Sequence, residues 1–335
     1  MTATPLLRKR VVVTAFFFVL SVALVAVLAR QITVLDIKRL ASRLTLPQFV
    51  LMSGLYLLMA YFRGIRLGYI LREGNAARLT AIAVIHAFLN HILPFRLGEI
   101  SLPVLVKAFT SRGLASGSLS LVLVRLYDAI SIALLSLLSL LVVGGELSAT
   151  VRNVLGVCAF MVIVGFILVF RYLGALVSVA AAAAGGTLGL LGRRGRLAAG
   201  RLRELADSMS REIDGLDARQ KYGFLPVSSL IVTVLNYALF FFAMVFMGID
   251  IGFFRNMLAS LGELVTTFLP NTLASFGTME AGWAAGYALC GVSKADAIAT
   301  GFIMHGIIIL SGFTFSMVGI LCLLACRKSE HEAGT

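Results

Sequence analysis

Two glutamates, Glu99 and Glu280, each stand inside an interrupted apolar segment, and each is followed one segment later by a basic residue, Arg125 or His305. A carboxylate at membrane depth is costly without a partner, so it marks an ion pair, a proton site or the lining of a polar path. Around Glu99 lie Asn90, Pro94, Arg96 and Gly98, and Asp128 follows Arg125 by three residues, on the same helical face. Around Glu280 lie Glu263, Pro270, Asn271 and Gly277. The planar fork of Arg125 suits either a phosphate or the Glu99 carboxylate. Asp128 is a second candidate partner for Arg125, and Arg96 a second candidate partner for Glu99. Two roles stay open for the carboxylates: an ion pair that pins each break, or groups that contact a polar headgroup. For His305 the alternatives are a plain hydrogen bond and a proton-linked role. The candidate binding residues are therefore Asn90, Arg96, Glu99, Arg125, Asp128, Asn271, Glu280 and His305, with Pro94, Gly98, Pro270 and Gly277 as candidate hinges.

The elements that position these residues recur. Pro47 matches Pro226, Pro94 matches Pro270, Glu99 matches Glu280 and Arg125 matches His305, at offsets of 179, 176, 181 and 180 residues. Proline removes a backbone donor and glycine tolerates unusual dihedrals, so both segments are expected to break. Broken backbone survives at membrane depth only where protein buries it or water reaches it. Paired interrupted segments in the two halves of a membrane protein point to a site between the repeats.

Composition places the chain in lipid. It is 59% hydrophobic and 13% charged, with mean hydropathy +0.98, against roughly 25% charged residues in soluble domains. The net charge of +13 falls mainly between apolar runs, where the positive-inside rule accounts for it, and no nucleic-acid module is present. Cys158, Cys290, Cys322 and Cys326 read as apolar packing residues, and no metal or other cofactor is expected. No HExxH, Walker, DxD or GxSxG-with-triad pattern occurs, so the chain is not expected to be an enzyme.

Apolar runs long enough to span, at about 20 residues, are Val11–Ala29, Pro47–Phe62 continuing towards Leu67 with Arg63 and Arg66 at its end, Ser116–Val143, Val154–Phe170, Leu225–Met247 and Ala295–Leu324. The expected fold is an all-α polytopic membrane protein with six spans plus two broken or re-entrant helical hairpins in an inverted repeat. It forms one membrane domain over 1–335. Its parts are an uncleaved anchor helix (11–29), repeat 1 (47–143), a linking helix (152–171), a cytoplasmic amphipathic segment (193–221) and repeat 2 (225–324). Leu173–Leu191 is Ala/Gly-rich and reads equally as a span, a surface segment or an extension of the preceding helix. Arginine bias places both termini on the cytoplasmic side of a bacterial-type inner membrane. The loop with Lys38, Arg39 and Arg43 is the exception.

At Asn90…Leu93-Pro94…Arg96-Leu97-Gly98-Glu99, at Arg125, and at Pro270…Phe276-Gly277…Glu280…Gly291, the chain resembles the lysylphosphatidylglycerol synthetase transmembrane region, or flippase-like, family. The resemblance runs roughly from Pro47 to Leu324. That family includes the membrane half of the multiple peptide resistance factor, which moves aminoacylated phosphatidylglycerol between leaflets. Without a soluble synthetase domain in the chain, the resemblance implies translocation of a phospholipid or glycolipid rather than its synthesis. The rival expectations are an intramembrane enzyme of lipid or glycolipid assembly and a non-transporting scaffold. A homo-oligomer is left open.

Overall fold

A computed structural model describes residues 19, 21–189, 192–215, 217, 219–266 and 272–333, and every regular element among them is helical. Five helices are long and apolar enough to cross a bilayer: α3 (Leu46–Leu71), α6 (Leu114–Val143), α7 (Ala149–Arg171), α10 (Leu225–Phe246) and α13 (Lys294–Ala333). They coincide with five of the six expected spans. The sixth expectation, 11–29, lies largely outside the described residues, and its 21–29 portion is helical (α1). Helix α7 shows why lipid is the solvent. Only Ala159 along it is buried, and Val157, Phe160, Met161, Ile167 and Leu168 all face outward. A helix apolar on its outer face needs an apolar medium.

Helix α3 starts where Pro47 occupies the first turn and the Gln48 side chain accepts from Thr45 N–H at 2.9 Å. It continues to Leu71 and stops at Arg72 in the left-handed region, φ +54°. Arg63 and Arg66 therefore lie inside the helix and not at its end, a correction to the expected boundary.

The two interrupted segments form short helices. Helix α4 (Ala76–Ile92) gives way at Leu93, which is extended before Pro94. A 3-10 turn (Pro94–Ile100) and α5 (Ser101–Phe109) follow. In the second half, α11 (Phe253–Thr266), a 3-10 turn (Leu273–Ser275) and α12 (Thr278–Leu289) follow the same order. At 1.5 Å per residue α4 is about 25 Å long, short of the roughly 30 Å hydrocarbon core, and the described part of α11 spans about 21 Å. Pro270 and Asn271 lie outside the described residues.

Each hairpin packs against the long helix of the other half. Ser316 on α13 donates to Val84 O on α4 at 3.3 Å, and Ser139 on α6 reaches Met257 Sδ on α11 at 3.5 Å. Helices α3 and α10 run antiparallel, since Arg66 meets Ser229 near one end and Arg43, just before α3, donates to Met247 O at the other at 2.9 Å. Within the second hairpin the backbones touch. A Cβ on Gly262 would lie 2.8 Å from Gly286 N, and one on Gly282 would meet Gly262. Gly282 and Gly286 are a small-xxx-small pair, the spacing that allows close helix approach in membranes. Gly252 (φ +64°) and Gly291 (φ +90°) flank this hairpin.

Two peripheral units complete the fold. Helix α2 (Val34–Ala41) is capped by Thr33, whose N–H and hydroxyl donate to Asp36 while its Oγ accepts from Asp36 N–H. Two basic residues of this region are engaged by protein: Arg39 pairs with Asp296 at 2.5 Å, and Arg43 holds Met247 O. Helix α8 (Leu173–Gly189) resolves the ambiguous segment. It follows a break at Tyr172 and forms a hairpin with α9 (Gly192–Asp214), where Gly174 nears Ser210 and Gly185 nears Ala199. Helix α9 carries the expected amphipathic pattern, with Ala206 and Met209 buried and Arg196, Arg201, Arg203 and Arg211 exposed. Ser116 of α6 donates to Glu212 at 2.7 Å and fixes the base of this arm.

Candidate functional site: two ion pairs at facing hairpin tips

The tips of the two hairpins meet. Ser275, in the second 3-10 turn, donates to His91 O at the end of α4, 3.2 Å away. Both turns hold non-glycine residues in the left-handed region: Arg96 at φ +57°, Ala274 at +50° and Ser275 at +58°. Such conformations cost about 1–3 kcal/mol each and concentrate at binding and switching sites. Gly98 was expected to supply conformational freedom, but Arg96 takes the positive φ. Gly98 is needed for space instead. A Cβ there would lie 2.6 Å from both Asn90 N and Leu89 O. Gly277 does adopt positive φ, +86°.

At the first tip, Arg125 holds Glu99 with two donors, Nη2 to Oε1 at 2.5 Å and Nε to Oε2 at 3.4 Å. Arg125 is 49% exposed and Glu99 18%. A guanidinium this accessible within a spanning helix calls for water or polar partners rather than hydrocarbon. Arg96 lies within electrostatic reach of both. The last two turns of α4 (86–92), including His86, Asn90 and His91, are partly accessible, whereas 81–85 are buried. His86 Nδ1 is 2.9 Å from Ser101 Oγ, and the Ser101 hydroxyl donates to Gly98 O at 2.6 Å. Asn90 Oδ1 is buried without a hydrogen-bond partner.

The second tip is closed. His305 Nδ1 is 2.6 Å from Glu280 Oε1, Gly277 N–H donates to Glu280 Oε2 at 2.7 Å, and both side chains are 0% exposed. Phe276 covers the imidazole at 4.6 Å between ring centroids. Among the described residues His305 Nε2 has no hydrogen-bond partner. Trp283 is packing: its indole N–H donates to Thr300 at 3.1 Å, and the ring stacks on Tyr287 at 4.4 Å.

Asp128 does not pair with Arg125. It takes two donors from Arg66, Nη1 to Oδ1 at 2.5 Å and Nη2 to Oδ2 at 3.3 Å, and Arg66 is 1% exposed. Arg66 also donates to Ser229, so one buried guanidinium ties α3, α6 and α10 together. The sequence suggests Arg96 and Arg125 as partners of Glu99 and sets Glu280 and His305 as counterparts of Glu99 and Arg125 without pairing them. The structure joins Glu99 to Arg125 and Glu280 to His305, and Arg63, Arg66, His86 and His91 were left out of the expected site. The signal available for the two arginines was their position within an otherwise apolar segment.

Residues 12–316 match the family model described as the lysylphosphatidylglycerol synthase TM region. The chain belongs to this family. No curated protein and no solved structure matches it. Membership in the lysylphosphatidylglycerol synthase TM region family, together with five spanning helices, makes this a multi-pass membrane protein with a membrane-lipid-related function.

Proposed function

We propose that the protein moves a lipid between leaflets of a bacterial-type inner membrane, with the headgroup passing between the two broken hairpins and the acyl chains remaining in lipid. The observation that carries this reading is the pairing of tips. The two broken hairpins meet at Ser275 and His91, and each holds a carboxylate–base pair at its break. Polar groups there lower the cost of taking a headgroup out of water.

An inverted repeat is supported by the antiparallel run of α3 and α10, which are the matched helices of the two halves. A two-fold axis in the membrane plane reverses counterpart helices where they meet. With one pair accessible and the other sealed, the arrangement suits a site that opens to one side at a time. Both termini are placed in the cytoplasm. Two of the three basic residues after α1 that run against that orientation, Arg39 and Arg43, are engaged by Asp296 and Met247.

The test is the full chain in liposomes carrying labelled phospholipid or glycolipid, with leaflet position and lipid mass read on the same vesicles. Movement without a change of mass is expected. A chemically altered lipid would favour an intramembrane enzyme. Unmodified lipid that stays put across a headgroup panel, with and without an ion gradient, would favour a scaffold.

A further inference from the structure

We propose that Arg63, one helical turn before the Arg66–Asp128 pair, receives the phosphate of an anionic lipid headgroup, an inference that rests on the lipid-moving role above. Three arginines, Arg63, Arg66 and Arg125, act on one another in this region. Two carboxylates answer them, and both are taken: Asp128 by Arg66 and Glu99 by Arg125. The carboxylate acting on Arg63 is Asp128, which already spends both oxygens on Arg66. Among the described residues Arg63 makes no ion pair and no hydrogen bond, so one positive charge is left over.

Arg63 lies largely buried, and His86 and His91 lie within its electrostatic reach. It stands eight residues before the end of α3, about 12 Å inside the helix. An arginine at that depth is too long-lived a cost to be incidental, because a charge inside a membrane faces a partner or a watery cavity. The missing partner is an anion. The guanidinium fork matches two oxygens of a phosphate and is less suited to a lone halide. Seven residues earlier on the same face, the Tyr56 hydroxyl is buried without a hydrogen-bond partner, about 10 Å away along the helix. It offers a polar stop for headgroup atoms beyond the phosphate.

Native mass spectrometry of the detergent-purified full chain tests this, with phosphatidylglycerol, phosphatidylcholine and inorganic phosphate as probes. Phosphatidylglycerol is expected to bind the native protein in preference to phosphatidylcholine, and Arg63→Gln to weaken it about tenfold or more. Arg63→Lys keeps the charge but loses the fork, so an intermediate loss of about threefold is expected. Should Arg63→Gln fail to accumulate folded, Arg63→Lys decides alone: weaker binding supports the site and unchanged binding overturns it. Unchanged phosphatidylglycerol affinity in a folded Arg63→Gln also overturns it. Inorganic phosphate that displaces phosphatidylglycerol at comparable concentration overturns the lipid source of the phosphate. The two readings fail separately. Transport that persists while lipid binding ignores Arg63 removes this inference alone, and Arg63-dependent binding in a protein that moves no lipid removes the transport reading alone.

Discussion

Glu99 and Glu280 occupy matched positions in two hairpins and live in opposite surroundings. Glu99 and Arg125 are 18% and 49% exposed, whereas Glu280 and His305 are both 0% exposed. The first pair stands among Arg63, Arg96, His86 and His91; the second is walled by Phe276 and braced by the Gly277 amide. The cause lies in the packing beneath. Gly262, Gly282 and Gly286 draw α11 against α12 backbone to backbone, while in the first hairpin the close backbone approach is that of Gly98 to Leu89 and Asn90, and the His86 and Ser101 side chains meet at 2.9 Å. One motif spacing therefore gives two settings, one pair partly accessible and one sealed.

This contrast can be broken most severely at Glu280. Glu280→Ala removes the acceptor of both His305 and Gly277 N–H in a sealed site, and a loss of about 3–5 kcal/mol is expected, read as a lowered thermal midpoint in detergent. Glu99→Gln, in the accessible pair, is expected to change stability by about 1 kcal/mol or less while slowing lipid movement in the liposome assay. Equal stability losses at the two glutamates would erase the distinction. Next in size is Gly98→Ala. Its Cβ meets backbone of Asn90 and Leu89, so about 1–3 kcal/mol is expected from overpacking, with altered cysteine accessibility at residues of the first tip. The smallest effect is expected at Ser275→Ala, which removes the hydroxyl joining the tips. About 1 kcal/mol or less is at stake, and the informative measurement is whether the first tip becomes more accessible to labelling reagents.

Much of the helix order was legible, because lipid-facing helices must be apolar over a set length and proline must interrupt them. The boundaries of α6, α7, α10 and α12 fall within a few residues of the apolar runs. The carboxylate–base pairs were legible too, through the equal spacing of Glu99 with Arg125 and Glu280 with His305. What stayed hidden depends on contacts between distant residues. Asp128 finds Arg66 62 residues away, so neighbours three apart on one helix misled. Arg63 and Arg66 looked like the end of a span, because charge ordinarily marks the membrane surface; only the packing of α3 against α6 and α10 shows them inside. The exposure difference between the two tips has no local signature, since it follows from glycine contacts between α11 and α12.

Those glycine contacts also govern how the second hairpin can move. With Gly262 against Gly282 and Gly286, the two helices cannot slide past one another without backbone collision. The pair behaves as a single stiff lever. Its fulcrum lies at the far end from the tip, where Gly252 and Gly291 supply the two left-handed joints. A small tilt there would swing Ser275 and Phe276 through a larger arc and lift the cover from His305. A cross-link between α11 and α12 should accordingly leave lipid movement intact, whereas one joining Ser275 to the end of α4 should stop it.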